Sequence, residues 1–188
     1  MHTLSRKKNL MFPMPVLLIA TYNEDKTVNV MNAAWGTLED SNMILIELTH
    51  DHKTSENILR EKAFTVAFAT EKHIKEADYF GLVSGNDTKD KFEKTHLHVH
   101  DAVVVHAPVI DEYPVSLLCH LERIDETNGD FAVYGKIENI SVDDAFLDED
   151  GNLDIDKCGF VTYSSSDHSY RSVGKKVASA FSVGKEIK

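Results

Sequence analysis

Runs of strand type crowd the stretch between residues 16 and 70, and their spacing leaves room for one helix among them. They are Val16 to Thr21, Val28 to Thr37, Met43 to Leu48 and Ala63 to Thr70, the last rich in β-branched and aromatic residues. The gap long enough for a helix opens at Thr54. Further strands are predicted over Leu97 to Val105, Val115 to Ile124 and Phe131 to Val142, the last two joined by a polar DETNGD turn that marks a hairpin. The helices are too few for a regular βαβ alternation, so the pattern predicts a mainly β fold, a barrel with helical decoration.

The remaining elements are smaller. Two helices or helical turns are expected, one from Thr70 through Ala77 to Phe80 and the other near Lys89 to Lys94, with GLVSGND as turn material between them. Residues 143 to 157 are acidic, and GFVTY reads as one more short strand. Tyr170, Val173, Val177 and Phe181 recur at helical spacing, which predicts a closing helix with one apolar face. With 188 residues, 42% of them hydrophobic, the chain is expected to form a single domain over 1–188.

A formal net charge of −11 argues against a nucleic-acid or anionic-lipid surface, since such a protein repels phosphate unless one local cationic pocket offsets it. The longest apolar run, Met14 to Ala20, is far too short to span a bilayer, and the basic Arg6, Lys7 and Lys8 precede it without a cleavage site. A cytoplasmic protein with no membrane partner is the expectation. Cys119 and Cys158 form no CxxC pair, and reduced thiols fit that compartment.

Three stretches can carry chemistry. In LTHDHKTSENI, residues 48 to 58, a strand gives way to a helix N-terminus, where free N–H groups and the helix dipole favour an anion. Lys53 and the Thr54 hydroxyl would add a charge and a donor; the plain alternative is a Thr54 cap with Asn57 in the first turn. In NVMNAAW, residues 29 to 35, alanines permit a flat ligand to approach the backbone, and Trp35 either walls a pocket or fills the core. DYFGLVSGNDTKDKF, residues 78 to 92, lacks the spacing of a Walker loop and by itself is only a turn.

Other clusters carry less. His96, His98 and His100 share one face of any strand, but no cysteine or acidic ligand follows at a known metal spacing. In DEDGNLDID the glycine is misplaced for a calcium loop, so it reads as an acidic turn. Ser164 to Ser166 with Asp167 and His168 suggest a hydrolase only until one notes that no GxSxG elbow accompanies them. Cys119, in VSLLCHL, reads as core.

PVLLIAT, NVMNAAW, HDHKTSENI, ADYFGLVSG with DKF, and HAPVIDEYPVSLLCHLERI together resemble, in order and spacing, the flavin reductase-like FMN-binding split-barrel proteins, particularly the flavoredoxin branch, over about residues 13 to 185. The resemblance implies a six-stranded Greek-key split β-barrel with flanking helices that forms a homodimer and holds FMN non-covalently near the dimer interface. It places Asn32, Ala33, Ala34 and Trp35 beside the isoalloxazine ring, largely through backbone groups. His52, Lys53, Thr54 and Asn57 would hold the phosphate, and Ser84, Gly85 and Lys91 would close the site. Many relatives have Thr or Ser where Asn32 and Ala34 stand, so side-chain bonds to the ring are not implied.

The implied activity is an oxidoreductase of flavin reductase type, in which NAD(P)H reduces FMN and electrons pass to free flavin, a ferric chelate or a protein acceptor. The alternative is a flavoredoxin-like electron carrier reduced by a partner protein, and a weaker one is flavin storage. No GxGxxG fingerprint separates these, and no catalytic acid or base is named.

Overall fold

The computed structural model describes residues 10–127 and 129–187. The first strands are β1 (Leu17–Tyr22), β2 (Val28–Ala33), β3 (Gly36–Asp40) and β4 (Met43–Thr49), followed by helix α1 (Lys53–Glu61), β5 (Ala63–Phe68) and helix α2 (Ile74–Leu82). A short hairpin, β6 (Val99–Asp101) and β7 (Pro108–Ile110), leads to the long strands β8 (Val115–Thr127) and β9 (Asp130–Val142). A one-turn helix α3 (Ile155–Cys158) and a second hairpin, β10 (Val161–Ser164) and β11 (Ser169–Ser172), complete the fold.

The main sheet has seven strands in the order β2-β1-β5-β8-β9-β4-β3, with antiparallel pairing throughout. The run read as one strand, Val28 to Thr37, breaks at Ala34 and Trp35 into β2 and β3. These halves form the two edges of the sheet, so one bent strand joins both edges and curls the sheet into a split barrel; counted as one, it restores the six-stranded expectation. Gly36 sits at the bend. A Cβ there would lie 2.6 Å from Leu17 Cδ1 and 3.2 Å from the Leu45 carbonyl, so the corner closes only without a side chain.

β1 shows why its sequence is apolar without alternation. Leu17 and Ile19 enter the barrel core with Ile46, Phe64 and Val133, while Leu18 and Ala20 pack outside it with Ala77 and Phe80 of α2. Both faces are covered, and full burial of each large apolar side chain contributes roughly 1.5–3 kcal/mol. Cys119 is in the core, where burial pushes its thiol up to about 12; it and Cys158 are free thiols. No helix among the described residues is long and apolar enough to cross a membrane.

Several expected elements change. The predicted strand Leu97 to Val105 shrinks to β6, which folds back on β7, and His98 and His100 pair with Glu112 and Asp111 at 2.7 and 2.5 Å. Of the two forms expected near Lys89 to Lys94, the helical turn is the one found, as a 3-10 turn over Glu93–Thr95. The predicted closing helix is absent: Tyr170 belongs to β11, and the chain beyond Ser172 is irregular up to a 3-10 turn at Val183–Glu186. Val177 and Phe181 are 100% and 99% exposed, so the periodic apolar face has no core to bury against, and Gly174 further weakens a helix that short. Arg6, Lys7 and Lys8 lie outside the described residues, as does Asn128 in the hairpin turn.

Candidate functional site

α1 begins at Lys53, one residue before the expected start, and its cap position is His52 rather than Thr54. The His52 side chain makes no capping hydrogen bond, so the first N–H groups of the helix remain open toward a cavity lined by His52, Lys53 and Thr54. Thr54 is buried, and its Oγ1 accepts from the Asn29 side-chain amide at 2.8 Å. Ser84 and Gly85 form the opposite wall. A Cβ on Gly85 would meet Asn29 Oδ1 at 2.2 Å and Lys53 Cβ at 3.1 Å, so glycine lets this loop close on the helix start.

Two lysines face this cavity in different states. Lys53 is paired with Glu56 at 2.9 Å and partly exposed. Lys91 is 3% exposed, its Nζ donates to the Phe80 carbonyl at 2.9 Å and lies 5.9 Å from the Phe80 ring centre. It forms no ion pair with a carboxylate among the described residues, and burial lowers its pKa to about 8. A buried ammonium with no carboxylate partner, held by a carbonyl of the last turn of α2 in the cavity that also receives the start of α1, is costly for the empty protein and suited to an anion.

The cavity, about 240 Å³, opens into a larger one of about 500 Å³, with Met31, Asn32, His52, Gly81 and Leu82 lining both. Ala33, Ala34 and Trp35 border the larger half. The core-filling reading of Trp35 is corrected here, because the side chain is 59% exposed and stands at the rim. Asn32 Nδ2 donates to the Ala77 carbonyl at 2.9 Å, so the amide ties the β2 end to α2. The charges are segregated: Glu47, Asp78 and Asp130 line the large half, while Lys53 and Lys91 line the small one. An elongated ligand with one anionic end can lie in this cleft in one direction only.

Of the residues singled out from sequence, Asn32, Ala33, Ala34, Trp35, His52, Lys53, Thr54, Ser84, Gly85 and Lys91 line the two connected cavities. Asn57 lines neither. It is fully buried, donates to Thr21 Oγ1 and Asn23 Oδ1 at 3.0 and 2.8 Å and accepts from Arg60 at 3.0 Å, so its side chain is committed to holding α1 on β1. Sequence reasoning missed Asp78, Tyr163 and Tyr170, which also line the large half. The available signal was the pair of tyrosines flanking the polar SSSDHS turn, a hairpin pattern that a helical reading of Tyr170 obscured.

Residues 9–160 match the family model for the flavin reductase like domain. The chain belongs to that family. Its structure is similar to flavoredoxin of Desulfovibrio vulgaris (Miyazaki F), with a TM-score of 0.92 and 31% identity over 98% of this chain and 100% of that one. A flavoredoxin from Methanosarcina acetivorans is similar at a TM-score of 0.89 and 26% identity, with all of both chains covered. Nitrilotriacetate monooxygenase component B from Bacillus cereus shares the fold at a TM-score of 0.79 and 14% identity, over 95% of this chain and 98% of that one. The family member described here is therefore a split-barrel flavoprotein of oxidoreductase type.

Proposed function

We propose that this protein holds FMN non-covalently in the bipolar cleft and works as an NAD(P)H-dependent flavin reductase that passes electrons to free flavin, a ferric chelate or a protein acceptor. The observation that carries the FMN reading is Lys91, a buried ammonium without a carboxylate partner in the cavity that also receives the open start of α1. The phosphate would lie against Lys91, Lys53, Thr54 and the N–H groups after His52, with Ser84 and Gly85 closing over it. The ring would lie along the backbone of Asn32 to Trp35. Bound there, the flavin supplies the redox chemistry, and the protein supplies position, fixed dipoles and exclusion of water.

The similarity to two flavoredoxins favours a second reading, an electron carrier reduced by a partner protein. Anaerobic addition of NADH, then NADPH, to the FMN-loaded protein separates the two: bleaching of the flavin absorption supports the reductase, and persistent colour supports the carrier. The Lys53→Ala, Thr54→Ala double variant should release FMN, and unchanged flavin occupancy would remove the phosphate assignment. Homodimer formation is part of the proposal, supported by the exposed Val177, Phe181 and Ile187 beyond β11. Its mass in solution by light scattering tests it. A cytoplasmic location is proposed from the acidic composition and the free thiols.

A further inference from the structure

Asp167 and His168 line neither cavity, yet they form the turn between the two strands that carry tyrosines into the large one. Tyr163 on β10 stands opposite Tyr170 on β11, so both side chains leave the same face, with ring centres 6.1 Å apart. Tyr170 is committed: its hydroxyl donates to Asp78 Oδ1 at 2.8 Å, and burial together with that carboxylate raises its pKa to about 12. The Tyr163 hydroxyl instead lies 2.7 Å from Nδ1 of His168, an exposed residue.

The turn itself is well braced. The Asp167 carboxylate accepts from Ser169 Oγ at 2.8 Å and from the Arg171 guanidinium at 2.6 Å. His168 has φ of +53°, a left-handed conformation that non-glycine residues seldom adopt. That conformation turns the chain between β10 and β11 and leaves the His168 ring beside the Tyr163 hydroxyl.

We propose that His168 and Tyr163 form a proton relay from solvent into the flavin ring cavity, serving an acceptor that takes up a proton with its electrons, as a quinone does. The proposal rests on the flavin reading above. Conversion of a quinone to a hydroquinone consumes a hydride, supplied by the reduced cofactor, and one proton. That proton leaves Tyr163 Oη as the O–H bond of the product forms. The His168 Nδ1 proton passes to the phenolate oxygen while Nε2 takes one from water, and exchange of the ring protons with water resets the pair. Tyr163 is the group that touches the acceptor, and His168 acts through it. Asp167 and Arg171 beside His168, with Asp78 and Tyr170 across the cavity wall, are the other titratable and charged groups at this hairpin.

The test compares wild-type, Tyr163→Phe and His168→Asn proteins loaded with FMN, reduced by stoichiometric dithionite and mixed anaerobically with 1,4-benzoquinone or with ferricyanide, which takes an electron and no proton. Tyr163→Phe should slow the quinone reaction at least about tenfold more than the ferricyanide reaction. His168→Asn should slow the quinone reaction by several-fold and leave the ferricyanide reaction within about twofold. In flavin-free protein, nitrogen NMR should show Tyr163→Phe moving the His168 Nδ1 resonance, since the variant removes the hydroxyl 2.7 Å from that atom. Equal slowing with both acceptors, or an unmoved His168 Nδ1 resonance, overturns the relay while leaving the flavin assignment intact. A protein that binds no FMN overturns both.

Discussion

At the cationic end of the cleft, His52, Lys53 and Thr54 follow one another in sequence, and Ser84, Gly85 and Lys91 come from one loop. The ring end draws Asn32 to Trp35 from the barrel corner, Asp78 from α2 and two tyrosines from the β10–β11 hairpin. The first is built on an unsatisfied helix terminus and a desolvated charge, and the second on aromatic surface and backbone. On the proposed reading the two ends would contribute different free energies: the cationic end would select for phosphate, and the ring end for a flat aromatic system whatever its tail.

Removing the charge from the cationic end separates them most sharply. Lys91→Met should weaken FMN at least about 100-fold, the loss expected when one member of a buried charge pair is deleted, and change riboflavin, which has no phosphate, by less than about twofold. Calorimetric titration of the variant with each ligand measures both numbers. The flavin-free variant should be no less stable than the parent in thermal unfolding, since the desolvation of a buried ammonium held by one carbonyl and no carboxylate is gone.

The same end should respond to pH. Lys91 in the flavin-free fold has its pKa lowered by burial to about 8, below the ordinary lysine value it keeps in the unfolded chain. Between those two values the unfolded chain binds more protons, so stability of the flavin-free protein rises with pH there. FMN affinity runs the other way: it should fall up to about tenfold per pH unit above pH 8, as binding must first restore the proton. Riboflavin titrated over the same range should show no such slope.

Smaller effects probe the ring end and its support. Trp35→Ala should weaken FMN and riboflavin by similar factors, about tenfold, as loss of an aromatic contact at the cavity rim does; a loss confined to FMN would contradict the division. Asn57→Ala should lower stability by about 1–3 kcal/mol in urea unfolding, because Thr21, Asn23 and Arg60 lose a buried partner, and leave FMN affinity within about twofold.

The same contrast explains what could be read from the chain. The barrel was legible because its strands are short, close and bounded by turn residues, and the helix start at Lys53 carries its signal in consecutive positions. Lys91 was reached through the family resemblance, since a lysine among DTKDK looks solvated until the fold buries it. Tyr163, Tyr170 and Asp78 were not reached, because their partnership exists only after β10–β11 docks beside α2. The spacing of Tyr170, Val173, Val177 and Phe181 misled for a related reason: periodicity forms a helix when something covers its apolar face, and among the described residues nothing covers Val177 or Phe181.

The central claim, that a phosphate occupies the cleft at Lys91, is tested most directly by titrating the flavin-free wild-type protein at pH 7 with FMN and riboflavin in parallel, following flavin fluorescence. FMN bound at least about 100-fold more tightly than riboflavin is the predicted result. Equal affinities would show that the cationic end does not hold the phosphate.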